Sequence, residues 1–147
     1  MALNYVSIAL IVAAVFCIVE LALTAYIASA FGWGSWRFSV PRVNFMIFNS
    51  VWSLLVLAYV GLSPLYFPNL SHKLLATGLN CVTAIFWFAG SIALAVLVGG
   101  WVGGGVGGAA VAFGFFLWAI FTFLGVLDVL ESRGTSSTVK TPSTAPA

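Results

Sequence analysis

Charged side chains are what this sequence lacks most. Only 5% of its 147 residues are charged, whereas a soluble globular domain carries roughly 25% charged residues to cover its surface. The five basic and three acidic residues are also too few to follow a phosphate backbone, which excludes nucleic acid as a partner. Because 63% of the residues are hydrophobic, we expect an integral, multi-pass membrane protein that lipid rather than water solvates.

Histidine and cysteine, which build most metal and nucleophilic sites, are nearly absent as well. His72 is the only histidine, and Cys17 and Cys81 lie in different apolar segments. A zinc cluster, a histidine-activated nucleophile and a structural disulfide are therefore not expected. The glycine run at 99–108 lacks the Lys-Ser/Thr pair that completes a phosphate-binding loop. The sequence predicts a protein that is not an enzyme, with no catalytic residues, metal, cofactor or soluble substrate.

Four long apolar segments are present instead. The hydrocarbon core of a bilayer is ~30 Å thick, so a spanning helix needs about 20 mostly apolar residues. We predict spanning helices at residues 5–30, 44–62, 73–98 and 109–130. Together they form one transmembrane domain at 1–131. The short connections predict an all-α fold, an antiparallel up-down bundle of four transmembrane helices.

Breaks in the apolar pattern predict the connections and the tail. Ser63-Pro64 and Pro68-Asn69 are expected to break the second helix, and the glycine run at 99–108 is expected to form a tight connection that cannot hold a helix at full strength. After Glu131 the composition changes abruptly to serine, threonine and proline. We therefore expect residues 132–147 to be a disordered cytosolic tail.

The positions of the basic residues predict the orientation in the membrane. An even number of spans places both termini on one side. Lys73, Arg133 and Lys140 share that side, whereas Arg37 and Arg42 lie on the other. Because cytosolic loops carry the excess of lysine and arginine, this distribution favours cytosolic N- and C-termini.

Small and polar residues recur at helical spacing inside each apolar segment. Lipid gives helices no hydrophobic reason to associate, so packing depends on small residues and on interhelical hydrogen bonds worth roughly 0.6–2 kcal/mol each. The residues predicted to let helix backbones approach are Ala13, Gly90, Gly104, Gly108 and Gly114. For Gly104 and Gly108, contact between protomers and simple loop flexibility stay open as alternatives. The polar side chains predicted to form a membrane-buried cluster are Glu20, Asn49, Ser53, Asn80, Trp87 and Trp118. In the fourth segment the inward stripe is expected to run through Gly107, Val111, Gly114, Trp118, Thr122 and Gly125.

Glu20 lies near the middle of the first apolar segment. An ionised carboxylate at that depth costs at least a few kcal/mol, so the side chain should be protonated or hydrogen-bonded. Donors at matching depth are Ser53, Trp87 and Trp118. Two interpretations stay open: a neutral acid that holds the helices together, or a group that binds a proton or a substrate. The first is favoured, because a lone acid cannot form a proton relay.

The second and third segments resemble a known family. The motifs are VNF at 43–45, FNSVWSLL at 48–55, His72-Lys73, and NCVTAIFWFAG at 80–90. They look like the MARVEL tetraspan membrane proteins, and most of all like the fungal branch that includes the non-classical-export and eisosome proteins. The motifs cover about half of the chain. The spacing of the other two segments fits the same family.

The resemblance implies a function in membrane organisation. It implies cytosolic termini, a location in the plasma membrane or in vesicles, association with membrane lipids such as sphingolipid or sterol, and roles in microdomains and trafficking. We expect such an organiser to form a homo-oligomer. The alternative is a small proton-coupled transporter with Glu20 as its membrane-buried binding acid, similar to the small multidrug exporters. Those proteins are shorter, and they lack the Phe-Trp-Phe-Ala-Gly sequence of the third segment.

Overall fold

The described part of the chain consists of four long helices. The computed structural model describes residues 4–32, 41–66, 73–99 and 105–137. The helices are α1 (Tyr5–Gly32), α2 (Pro41–Tyr66), α3 (Lys73–Gly99) and α4 (Val106–Ser137). Each of them is long and apolar enough to cross a bilayer, so the predicted all-α, four-span fold is confirmed.

The helices form a ring in which each packs against its neighbours in sequence, and α4 closes the ring against α1. The contacts between α3 and α4 run antiparallel. Val98 lies against Gly107 near one end of the pair, and Asn80 bonds to Asp128 near the other. The ring is therefore an up-down bundle, with a central interior that all four helices line.

Helix α2 is longer than predicted at both ends. It begins at Pro41, where the missing N–H costs nothing because the first turn of a helix has no partner for it. It then continues through Pro64 to Tyr66, so the prediction that Ser63-Pro64 ends this helix is wrong. Pro64 removes a single backbone hydrogen bond close to the helix end, and lipid offers unwound backbone no water to bond instead.

The glycine-rich connection is shorter than predicted. Gly99 is the last residue of α3, and both Gly107 and Gly108 are helical; residues 100–104 lie outside the part of the chain that the structure describes. Gly105 has φ 109°, a left-handed conformation that glycine adopts without steric cost. Its carbonyl accepts a hydrogen bond from the Ala109 N–H at 3.0 Å. Gly105 therefore caps the start of α4.

Helix α4 continues beyond the predicted fourth span. It ends at Ser137, so the expectation of disorder from residue 132 is wrong for residues 132–137. The remaining tail residues, 138–147, lie outside the described residues. At 1.5 Å per residue, α4 measures about 48 Å, which exceeds the ~30 Å hydrocarbon core. Its last turns therefore extend beyond the lipid, where a polar sequence is tolerated in a helix.

On α1, mostly small and polar side chains face the interior of the bundle, whereas large apolar side chains face outward. The buried face of α1 carries Ala13, Cys17, Glu20, Thr24 and Ile27. The exposed face of the same helix carries Ile8, Ile11, Val15 and Ile18. This arrangement suits a bilayer, because lipid solvates large apolar side chains and helix contact requires small ones.

Candidate functional site

A group of polar side chains lies buried between the helices. Five of the six side chains predicted for this cluster are at most 1% exposed to the exterior. They are Glu20, Asn49, Ser53, Asn80 and Trp87. α1 supplies the first, α2 the next two, and α3 the last two. The interior of the bundle is therefore polar over several helical turns.

Two tryptophans join α2 to α3 through hydrogen bonds. The Trp87 indole N–H donates to the Ser53 hydroxyl at 2.8 Å, and the Trp52 indole N–H donates to the Thr83 hydroxyl at 3.2 Å. The Thr83 hydroxyl in turn donates to the Leu79 carbonyl at 2.7 Å. A buried indole brings a large apolar surface together with one donor that needs a partner. These bonds fix the register of α2 against α3.

A third hydrogen bond joins α3 to α4. The Asn80 side-chain amide donates to a carboxylate oxygen of Asp128 at 2.8 Å. The sequence interpretation missed Asp128, although it lies three residues after Gly125, and this spacing keeps it on the helix face of that glycine. Thr83 was missed as a partner because threonine is common on both faces of a membrane helix. Both residues link helices rather than approach Glu20.

Glu20 and Asn49 differ from these pairs because their side chains are unpartnered. Both residues are 0% exposed. Neither carboxyl oxygen of Glu20 and neither polar atom of the Asn49 amide has a hydrogen-bond partner among the residues that the structure describes. The Ser91 hydroxyl is also fully buried and also has no hydrogen-bond partner among the described residues. Unpaired polar groups inside a membrane protein are costly and are a usual mark of function.

Trp118 does not belong to the buried cluster. It is 37% exposed, and its ring packs against Phe88 with the two centroids 5.3 Å apart. The expectation that Trp118 donates to Glu20 is therefore wrong, and Thr122 on the same stripe is exposed as well. The buried stripe of α4 runs instead through Ala110, Gly114, Leu117 and Phe121. α4 is apolar on every side, so hydropathy does not reveal which face turns inward.

Two of the predicted packing glycines lie at close helix contacts. A Cβ atom at Gly90 would lie 2.7 Å from the Met46 sulfur, and a Cβ atom at Gly114 would collide with the Ser91 hydroxyl. The predicted small residue on α1, Ala13, is fully buried. Gly107 was predicted to lie on the inward stripe, and a Cβ atom at this position would lie 2.9 Å from the Val98 side chain. These positions have no room for a larger side chain, so the helices can approach there.

The other two predicted packing glycines behave differently. Gly108 is exposed, and a Cβ atom there would meet no atom of the described residues within 4 Å. Gly108 is therefore not a packing residue within this bundle, because the α4 face that turns toward α3 carries its neighbour Gly107. Gly104 lies outside the described residues.

An apolar groove runs between α3 and α4 on the outer surface of the bundle. Its volume is about 590 Å³. Cys81, Ala84 and Gly125 are its small residues, and the rings of Phe88 and Trp118 lie beside them. A second groove of about 450 Å³ lies between α1 and α2. Both grooves open at the outer surface of the bundle, and most of their lining residues are exposed or half-buried.

The comparison with known families decides the identity of this fold. Residues 3–127 match the family described as the MARVEL membrane-associating domain. The chain belongs to the MARVEL family. The match extends into all four helices, whereas the motifs that carried the resemblance lie only in α2 and α3. No curated protein and no solved structure matches the chain.

The MARVEL family is a structural membrane domain and not a known enzyme family. Among the residues that the structure describes, no group of three histidine, cysteine or acidic side chains could hold a metal ion. Cys17 is buried and Cys81 is exposed, and both are free thiols. Within the described residues, this MARVEL bundle combines hydrogen bonds in its interior with apolar contacts on its surface.

Proposed function

We propose that this MARVEL protein organises membranes by binding lipid, with the groove between α3 and α4 as its main lipid site. In this proposal the protein acts in the plasma membrane or in vesicle membranes, with both termini in the cytosol and several copies associated. The ligand is a sterol or a sphingolipid, as the resemblance to the fungal branch implies. The observation that carries the proposal is the shape and lining of that groove.

The dimensions of the groove suit a lipid. Its lining residues on α4 run from Trp118 to Leu130, which is about 18 Å of helix at 1.5 Å per residue. Half of a ~30 Å hydrocarbon core is about 15 Å, so the groove extends over about one leaflet. Its volume of about 590 Å³ falls within the range of roughly 300–1,000 Å³ found for small-molecule sites.

The chemistry of the lining suits a flat apolar ligand. Phe88 and Trp118 present aromatic surface beside the small residues Ala84 and Gly125. A rigid ring system such as a sterol loses little conformational freedom on binding against such a surface, whereas a flexible chain loses more. The Thr122 hydroxyl lies in the same groove and offers a hydrogen bond to a polar lipid group.

Photo-crosslinking tests the proposal. The purified protein is reconstituted in phosphatidylcholine vesicles with trace amounts of a photoactivatable sterol or sphingolipid, and labelled peptides are identified by mass spectrometry. We expect labelling to concentrate on α3 and α4 around the groove. Thr122→Trp fills the groove and should reduce labelling several-fold. Ile18→Trp is a matched control, because Ile18 is exposed on α1 and lines neither groove.

Uniform labelling around the bundle, or labelling that Thr122→Trp leaves unchanged, would contradict the lipid site. Native mass spectrometry of the protein released from membranes tests the rest of the proposal. We expect an oligomer that retains sterol or sphingolipid. A strictly monomeric, lipid-free particle would contradict the organising role.

The second candidate function is proton-coupled transport, and the unpartnered Glu20 carboxyl favours it. Vesicles loaded with a pH-sensitive dye separate the two functions. A transporter would show proton-coupled uptake that Glu20→Gln abolishes. That result would contradict the organising function and support transport instead. A membrane organiser would show no proton flux in either the wild type or the variant.

A further inference from the structure

Two fully buried side chains on neighbouring helices are each left without any hydrogen bond. Glu20 on α1 and Asn49 on α2 are both 0% exposed, and four polar atoms, two from each side chain, are unpartnered among the residues described. Elsewhere in this interior the indole and threonine groups are paired. The hydroxyls of Ser63 and Ser91 and the Asn80 Oδ1 are also buried without a partner among the described residues, but Glu20 and Asn49 are the two side chains that each leave two polar atoms unpartnered.

The antiparallel register of α1 and α2 places these two residues at the same level. The Cys17 thiol is within hydrogen-bonding reach of Ser53. Further along the same interface, Leu10 is the nearest side chain to Gly61. From Cys17 to Leu10 the chain moves seven residues along α1, and from Ser53 to Gly61 it moves eight residues along α2. Positions on the two antiparallel helices therefore correspond almost one to one. Glu20 lies three residues after Cys17 on α1, so it is level with the position about three residues before Ser53 on α2, at residues 49–51.

The other polar groups near this level have partners. The Ser50 hydroxyl donates to the Met46 carbonyl at 3.0 Å, and the Ser53 hydroxyl accepts from Trp87. The Thr24 hydroxyl donates to the backbone carbonyl of Glu20 at 2.8 Å and leaves the Glu20 carboxyl unbonded. Asn49 is thus the polar side chain at this level of α2 that is available to Glu20.

We propose that Glu20 holds a proton and forms a cyclic acid–amide pair with Asn49 in the membrane interior. The Glu20 O–H donates to the Asn49 Oδ1, and the Asn49 Nδ2–H donates to the other Glu20 oxygen. All four unpartnered atoms are then satisfied by one interaction. The terminal torsions of both side chains are broad, so the two planar groups can turn toward each other without a backbone change.

The charges around Glu20 favour the neutral form. An ionised carboxylate could accept one bond from the Asn49 amide, but the Asn49 Oδ1 would then be a second acceptor with no donor. On α1 the nearest titratable group is Cys17. On α2 the nearest charge is Arg42, seven residues from Asn49, or about 10 Å along the helix. α4 faces α1 with Phe113 beside Phe16.

The charges of α4 are remote from this pair. Asp128, Glu131 and Arg133 lie toward the end of that helix, and Asp128 is bonded to Asn80. No cation among the described side chains on α1, α2 or α4 therefore lies at the level of Glu20 to stabilise an ionised carboxylate. The proposal is independent of the lipid groove, which lies on the outside of the bundle between α3 and α4.

Infrared spectroscopy of the reconstituted protein tests the proton. The difference spectrum between the wild type and Glu20→Gln at neutral pH should contain a protonated-carboxyl C=O band and no carboxylate band. Asn49→Leu should move that band to higher frequency, because its hydrogen bonds are lost. Asn80→Leu is the matched control and should leave the band in place, since Asn80 bonds to Asp128. A carboxylate signal from Glu20, or a band that Asn49→Leu does not move, overturns the proposal.

A measurement on the wild-type protein tests the pair without requiring that any variant folds. With ¹³C labels in glutamate and asparagine, solid-state NMR should show a through-space cross-peak between the Glu20 Cδ and the Asn49 Cγ. The absence of this cross-peak in a sample that shows both resonances overturns the pair.

Thermal unfolding distinguishes the neutral pair from a bound cation. Glu20→Gln should unfold within about one degree of the wild type, because a second amide closes the same two bonds without a proton, whereas Glu20→Leu should unfold at a clearly lower temperature. Replacing Na⁺ by choline should shift neither the wild type nor Glu20→Gln. A wild-type stabilisation of several degrees that requires Na⁺ would mean that the oxygens hold a cation, and it overturns the proposal.

Discussion

Replacing Gly90 by alanine puts a methyl group into the closest contact between α2 and α3. The new Cβ would lie 2.7 Å from the Met46 sulfur and 3.2 Å from the Phe45 ring. Met46 is fully buried. Its terminal methyl already lies within 3.4 Å of the Cβ position at Gly114 on α4. The Met46 sulfur must therefore shift, and because the side chain is fully buried, its movement displaces neighbouring side chains and loosens the contact between α2 and α3.

The expected magnitude follows from a matched control on the same helix. Gly78 is exposed, and a Cβ atom there would meet nothing within 4 Å among the described residues. Both substitutions gain the same helix propensity, about 0.8–1 kcal/mol. Overpacking of a buried site costs about 1–3 kcal/mol. The free energy of unfolding of Gly90→Ala should therefore be about 1–3 kcal/mol lower than that of Gly78→Ala.

The assay is reversible unfolding in mixed micelles with increasing SDS, followed by tryptophan fluorescence. A double-mutant cycle with Met46→Ala isolates the contact. Met46→Ala alone should cost about 2–5 kcal/mol, but it should cost less in the Gly90→Ala background, because the alanine methyl then fills part of the space. Equal stabilities for Gly78→Ala and Gly90→Ala, or strictly additive effects in the cycle, would refute the packing described for this interior.

Three further perturbations probe the other contacts. Trp87→Phe removes the donor to Ser53, and the same unfolding assay should show a loss of roughly 0.6–2 kcal/mol; no loss would mean that the bond contributes nothing. Asn80→Leu leaves Asp128 without its amide donor, so hydrogen exchange should accelerate in this end of α3 and α4, and unchanged protection would contradict the link. Trp118→Leu should lower the fraction of tryptophan fluorescence that brominated lipid quenches, because Trp118 is exposed on the outer surface. An unchanged quenched fraction would mean that Trp118 does not face lipid.

Much of the fold could be predicted from the sequence because the bilayer constrains it strongly. A chain with so little charge must span the membrane, and the length of each apolar segment sets the number of spans. Small and polar residues also predicted the inward faces of α1, α2 and α3. On α1, for example, Ala13 and Glu20 are both buried. These faces could be predicted because each of them carries polar side chains that lipid does not solvate well.

The inward face of α4 could not be predicted in this way. Its buried stripe contains Leu117 and Phe121, which are as apolar as Phe116 and Phe123 on its exposed face. The stripe through Trp118 and Thr122 was chosen because those residues are polar, yet an indole and a threonine are both tolerated at the surface of a membrane helix. Only the packing against α3, through Gly107 and Gly114, fixes the rotation of α4.

The donors predicted for Glu20 do not reach its carboxyl, and the reason lies in how depth was counted. Counting residues inward from the two membrane faces placed Ser53 and Trp87 level with Glu20. In the structure these two side chains bond to each other. The register of α1 against α2 brings Glu20 level with Asn49 instead. Register depends on which side chains meet at the interface, and a single sequence does not contain that information.

The wrong helix ends have a common cause. Proline interrupts helices because it lacks an N–H and its ring clashes with the preceding turn, and glycine because of its backbone entropy. In water the freed backbone groups are then hydrogen-bonded by solvent. In lipid the same groups have no alternative partner, so the helix persists to the edge of the hydrocarbon core. α2 passes through Pro64, and α4 includes Gly107 and Gly108. Proline and glycine in a membrane sequence therefore do not by themselves predict where a helix ends, and a glycine that remains helical can instead mark a contact, as Gly107 against Val98 demonstrates.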